Sequence, residues 1–276
     1  MFSLFAASPV ITPAAMAAPG DSRAPKKLMQ RWTADQPDPG PGLPGWYSKA
    51  PDIHVHQPRN LAPIPVAELD LLRRRAMIAF DALMQQPSLR DVRGTSLHAD
   101  INISVVPTLD GVRLVAATFT IRAKSVLEGK ADTVQRDGRY LTPSEEGPVL
   151  SVFLNPYDMM ARRHVQAEGG RGRSLQVRTG GAYGLYVADQ LPDYDPNSEY
   201  AWGPRPLALQ LQNDRSWYQP GSAGVHPLLV HVSSYSHEND ELRGDRLSPD
   251  RPFARLAAAM FMVDWEAVQQ RMKAVK

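Results

Sequence analysis

Two histidines in the segment Asp52-Ile53-His54-Val55-His56 are the residues whose spacing points most directly to chemistry. Alternate residues of a β-strand project to the same face, so His54 and His56 could hold one metal ion. The same spacing also fits a polar segment that packs on a sheet without any ligand. The sequence favours this second interpretation and leaves the first one open.

A second group of ionisable residues comprises His231, His237 and Glu238. Histidine and carboxylate side chains supply the general bases and metal ligands that hydrolysis needs. The segment that begins at His237 departs from the zinc-protease pattern, because Glu241 stands where the second histidine is required. A hydrated acidic loop is the simpler interpretation, and catalytic roles for the three residues remain the alternative.

Oxygen-bearing side chains alternate at Asp193, Asp195, Asn197 and Glu199. Calcium loops use oxygen ligands at this spacing, which makes these residues a weak candidate for a cation site. The pattern lacks the required glycine and closing glutamate, so an exposed turn is favoured. We therefore expect neither a metal ion nor another cofactor.

Arginines and aromatic residues are concentrated between Arg162 and Tyr218. Arginine can grip phosphate, sulfate or carboxylate through two parallel hydrogen bonds, and aromatic side chains are enriched at interfaces. The predicted ligand-binding residues are Arg171, Arg173, Arg178, Tyr183, Tyr186 and Trp202. Two alternatives need no ligand: the arginines could follow a helix C-terminus, where basic charge is favourable, and the aromatics could lie in the core.

Composition excludes several classes of protein. The 31 basic and 29 acidic residues give a net charge of +2, which is too balanced to indicate a nucleic-acid partner. Cysteine is absent, which excludes disulfides, thiolate catalysis and cysteine-based zinc sites. The chain also lacks the Gly-x-Ser-x-Gly motif of serine hydrolases.

Residues 1–17 are predicted to be a secretory signal peptide. They form an uncharged, largely apolar stretch, and Ala15-Met16-Ala17 matches the small-x-small pattern before a cleavage point. The stretch lacks the usual basic residues before its apolar run. Its prolines and short apolar part argue against a membrane span. We expect a periplasmic or secreted protein whose mature chain begins at Ala18.

Residues 18–60 are predicted to form a proline-rich N-terminal arm, and residues 61–276 a single domain. Twelve of the 25 prolines fall within the first 65 residues, and proline both fixes φ and removes a backbone donor. We expect Trp46 and Tyr47 to anchor an otherwise extended arm, with residues 40–45 as a tether.

The periodicity of the domain predicts an α+β fold. Apolar residues at helical spacing indicate a long helix at 65–86 and another at 249–274, and a short helix is expected between Asn155 and about Gly169. Alternating strands surround hairpin signals at Asp110-Gly111 and Asp137-Gly138, which predicts a mainly antiparallel sheet.

These observations favour an exported, non-catalytic protein that binds a ligand or partner. The partner could be a protein, a glycan or an anionic small ligand, and the sequence does not choose among them. The alternative function is a metal-assisted hydrolase of the cell envelope.

Overall fold

The structure is a computed structural model that describes residues 25–57, 61–107, 113–154, 165–171, 174–179, 182–187 and 228–276. It contains an eight-stranded sheet and a separate two-stranded hairpin. All neighbouring strands of the large sheet are antiparallel except one parallel pair at its edge. The predicted α+β class with a mainly antiparallel sheet is confirmed.

The described residues form ten strands: β1 (Asp52–His56), β2 (Thr95–Pro107), β3 (Arg113–Ser125), β4 (Val134–Arg136), β5 (Arg139–Leu141), β6 (Val149–Leu154), β7 (Val165–Arg171), β8 (Ser174–Thr179), β9 (Ala182–Val187) and β10 (Leu228–Ser233). The large sheet runs in the order β1-β2-β3-β6-β10-β9-β8-β7, with β1 and β2 as its parallel pair, and β4 and β5 form the separate hairpin. The helices of the described residues are α1 (Lys26–Trp32), α2 (Val66–Met84), α3 (Ser236–Arg243), α4 (Pro252–Met262) and α5 (Trp265–Ala274). None of the described helices is both long and apolar enough to cross a bilayer.

One face of the sheet and the helices enclose the core. Alternation places Ile101, Phe119, Val152 and Val230 in a single row across β2, β3, β6 and β10, and all four are buried. Helices α2 and α4 pack over these strands, α5 packs on α2 and β9, and α1 packs on α4. This arrangement leaves the polar members of the alternating strands on the opposite face.

The predicted hairpins are present where the structure describes them. β2 and β3 pair in antiparallel register, although their turn at 108–112 lies outside the described residues. Asp137 and Gly138 both have positive φ, +52° and +75°, which is the type I′ geometry that joins β4 to β5.

The N-terminal segment contributes to the sheet and core from Pro25 onward, whereas its proline content predicts an extended arm. Leu28 and Trp32 of α1 are buried, and β1 pairs with β2. The Gly45 amide donates to the Val92 carbonyl at 2.8 Å. A Cβ atom at Gly45 would lie 1.7 Å from the Thr95 carbonyl oxygen, so only glycine permits this approach.

Two predicted helices differ in the structure. Residues 165–171, which include the expected end of the short helix, form β7. The C-terminal apolar stretch forms two helices, because the chain becomes extended at Val263 and Asp264 then caps α5 through the Ala267 amide at 2.9 Å. The break aims two separate apolar faces at the core.

Candidate functional site

The outer surface of β1, β2 and β3 carries polar side chains on all three strands. Burial of Ile101 and Ile103 on the core side directs Asp100 and Asn102 to the other side of β2. The cross-strand register places residues of β1 and β3 beside them. We call this surface the polar face, and its members are His54, His56, Asp100, Asn102, Ser104, Thr118 and Thr120.

Both histidines of β1 contact β2 across the polar face. His54 Nε2 lies 3.6 Å from Asp100 Oδ1, and His56 Nε2 lies 3.1 Å from Asn102 Oδ1. The side chains of His54 and Asp100 are 53% and 38% exposed, so a ligand could reach both. Within the described part of the chain, no three histidine, aspartate or glutamate side chains are grouped to hold a metal ion.

A serine and a histidine lie at one end of the polar face. Ser96 Oγ is 3.1 Å from His98 Nε2, and the indole of Trp46 packs on the imidazole with ring centroids 5.1 Å apart. Burial, and next the charge of Lys124, lower the pKa of His98 from 6.5 to about 4. A neutral imidazole beside a hydroxyl is the arrangement of a base and a nucleophile, but the Ser96 side chain is fully buried. The pair therefore holds the end of the strand in place.

Sequence reasoning missed Ser96 and His98 because the predicted alternation began at Ile101. The same alternation extends backwards, with Leu97 and Ala99 buried on the core side. Extending the two-residue period towards the N-terminus of β2 identifies both polar positions.

Two arginines of the small hairpin hold the neighbouring N-terminal segment. The Arg136 guanidinium lies 5.0 Å from the Trp46 ring centroid, and that of Arg139 lies 4.8 Å from the Tyr47 ring centroid. Arg139 also forms an ion pair with Asp91 at 3.1 Å. These cation–π contacts agree with the prediction that Trp46 and Tyr47 anchor this segment.

The three residues of the predicted hydrolase site have different neighbours. His231 is buried in the sheet, edge-on to Phe153 with centroids 6.1 Å apart. His237 is exposed and stacks on Tyr235. Glu238 accepts a hydrogen bond from Ser234 and lies 3.9 Å from Arg251. Their catalytic roles stay a prediction.

A metal site that joins His231 to His54 is excluded by the strand order. His231 projects to the same side of the sheet as the polar face, in one cross-strand row with Ser151, Thr120 and Asp100. Four strand spacings separate β10 from β1, which corresponds to about 19 Å. Metal–nitrogen bonds are about 2 Å long, so one ion cannot contact both imidazoles.

The predicted ligand-binding residues are described only in part. Tyr183 and Tyr186 are buried, and the guanidinium of Arg243 lies over the ring of Tyr183 at 5.7 Å. Arg171 and Arg178 lie on β7 and β8, whose side chains are outside the description. Outside the described residues altogether lie Arg173, Trp202, Asp193, Asp195, Asn197 and Glu199.

Comparison with known proteins adds no relative. No family model, curated protein or solved structure matches this chain significantly.

Proposed function

We propose that this protein is an exported, non-catalytic binding protein whose polar face holds a hydroxyl-rich ligand such as a glycan. The observation that carries the proposal is the solvent-accessible array of carboxylate, amide, imidazole and hydroxyl groups on β1, β2 and β3. Such groups both donate and accept hydrogen bonds, as a sugar hydroxyl requires.

The spacing of these groups supports an extended ligand. Neighbouring strands lie about 4.8 Å apart, and same-face residues along one strand lie about 6.6 Å apart. The strand backbone fixes the positions of Asn102 and Thr118, which are direct cross-strand partners. Rigid placement lowers the entropic cost of binding, so several weak hydrogen bonds could add up to a useful affinity.

Calorimetric titration with neutral and with acidic oligosaccharides tests whether the chain binds such a ligand. We expect binding by the wild-type chain and a loss of about tenfold in affinity for Asn102→Leu or Thr118→Val, since each removes a hydrogen-bonding group at nearly constant size. His237→Ala changes an exposed histidine elsewhere and should bind like wild type. Equal affinity of all four proteins would contradict the proposal. Metal analysis that finds one zinc ion per chain would favour the hydrolase alternative.

The leader supports the exported part of the proposal. Residues 1–17 end in Ala15-Met16-Ala17, and cleavage there would release a chain that starts at Ala18. Mass spectrometry of protein from the periplasm or medium of its host should find Ala18 as the first residue. Recovery of the intact Met1 form from the cytoplasm would exclude export.

A further inference from the structure

Strand β1 is an edge strand with exposed apolar side chains. Among the strands that the structure describes, it is the terminal strand of the sheet and pairs only with β2. All five of its residues are exposed, and Ile53 and Val55, which lie on the core side, are 41% and 40% exposed. Proteins usually protect such edges with lysine, proline or a bulge. β1 contains neither lysine nor proline, and it has no residue with positive φ.

The sequence of β1 complements itself. Antiparallel pairing of two copies centred on His54 sets Asp52 of each copy opposite His56 of the other, and Ile53 opposite Val55. Hydrogen-bonding polar pairs such as Asp–His and apolar cross-strand pairs both stabilise a sheet. A shift of one residue would instead set apolar side chains against polar ones, and a shift of two would pair only three of the five residues, so the centred register is favoured.

We propose that β1 binds β1 of a second copy of this chain in this antiparallel register, forming a two-fold symmetric dimer with one continuous sheet. Residues that face each other across a strand pair project to the same side of a sheet. The two polar faces therefore adjoin, and a longer ligand could span them. The dimer itself does not depend on the proposed ligand.

The symmetry gives a direct test, because the chain contains no cysteine. The two-fold axis places position 54 opposite itself, at a Cα separation of about 4.5–5.5 Å, within the range that a disulfide needs. His54→Cys should therefore form a covalent dimer under mild oxidation. Val66→Cys, at a residue of α2 that is 73% exposed, is the control and should stay monomeric. Equal cross-linking of the two variants would overturn the proposal.

Charge substitutions test the register without a covalent bond. The wild-type chain should sediment at twice the chain mass at high concentration. The double variants Ile53→Lys/Val55→Lys and Ile53→Glu/Val55→Glu should each sediment at the mass of one chain, because like charges oppose each other. An equimolar mixture should restore the doubled mass, which an unfolded variant could not do. A wild-type chain that stays monomeric, or a mixture that does not associate, would overturn the proposal.

Discussion

Burial at the end of the polar face keeps His98 uncharged at neutral pH. Its pKa of about 4 in the folded chain compares with an ordinary value of 6.5. As the pH falls below about 6.5, the His98 imidazole is protonated in the unfolded chain, whereas in the folded chain it is protonated only near pH 4. This imidazole therefore lowers the free energy of unfolding progressively across that interval.

We expect His98→Gln to weaken the acid sensitivity of the fold. Glutamine keeps a polar group near Ser96 but does not titrate, so the variant should lose less stability than wild type between pH 6.5 and pH 4. Urea unfolding at several pH values measures the difference. Parallel stability curves for the two proteins would mean that His98 is solvated and charged in the folded chain.

Arg255 is a fully buried cation that connects three parts of the chain. Its guanidinium donates to the carbonyls of Pro39 and Ser88 at 2.5 and 3.4 Å and lies 4.9 Å from the Trp32 ring centroid. Burial lowers its pKa to about 10, so it stays charged at neutral pH.

Arg255→Met should cost about 2–4 kcal/mol of unfolding free energy, because it removes the donor to the buried Ser88 carbonyl, one of the two donors to the Pro39 carbonyl, and the cation–π contact with Trp32. Arg251→Met is the matched control. Arg251 forms a surface ion pair with Glu241 at 2.7 Å, and its loss should cost about 1 kcal/mol or less. Similar costs in chemical denaturation would contradict the structural role of Arg255.

At the scale of elements, α4 is the centre of the helical layer. It packs on β3, β6, β10 and α1, and every residue from Phe253 to Met260 is buried. Leu256→Ala should cost about 2–5 kcal/mol, because the surrounding groups cannot close the cavity completely. Val66→Ala, at an exposed position of α2, should cost less than about 0.5 kcal/mol. Thermal or urea unfolding would show the contrast, and a small effect at Leu256 would mean that α4 is solvated.

For the whole molecule, the N-terminal segment should be needed for folding. The Leu97 amide donates to the Trp46 carbonyl at 2.8 Å, the Ser48 amide donates to the Leu97 carbonyl at 2.9 Å, and α1 lies on α4. Trypsin should therefore cut slowly after Lys26, Lys27 and Arg31, since cleavage requires local unfolding. Trp32→Ala removes a buried indole and should expose the same three sites. Rapid cleavage of wild type with a stable remainder from residue 61 would instead make the segment a dispensable arm.

Periodicity and turn chemistry alone predicted much of the domain. Helix α2, the pairing of β2 with β3, the β4–β5 hairpin and strand β10 all follow from local patterns in the sequence. Local patterns suffice there because each element buries one face at its own period. The spacing of His54 and His56 likewise predicted that both lie on one face of a strand.

Other features were decided only by tertiary contacts. The proline-rich segment joins the fold because the surface at Thr95 accepts a backbone without a Cβ at Gly45, which no local pattern reveals. The break before α5 arises because α4 and α5 pack on different partners, while their apolar residues read as one helical stripe. The order of the strands is equally non-local. It places His54 beside Asp100, and it separates His54 from His231 by four strand spacings, about 19 Å. The sequence by itself determined which residues face the same side of each strand, and the sheet decided which of them are neighbours.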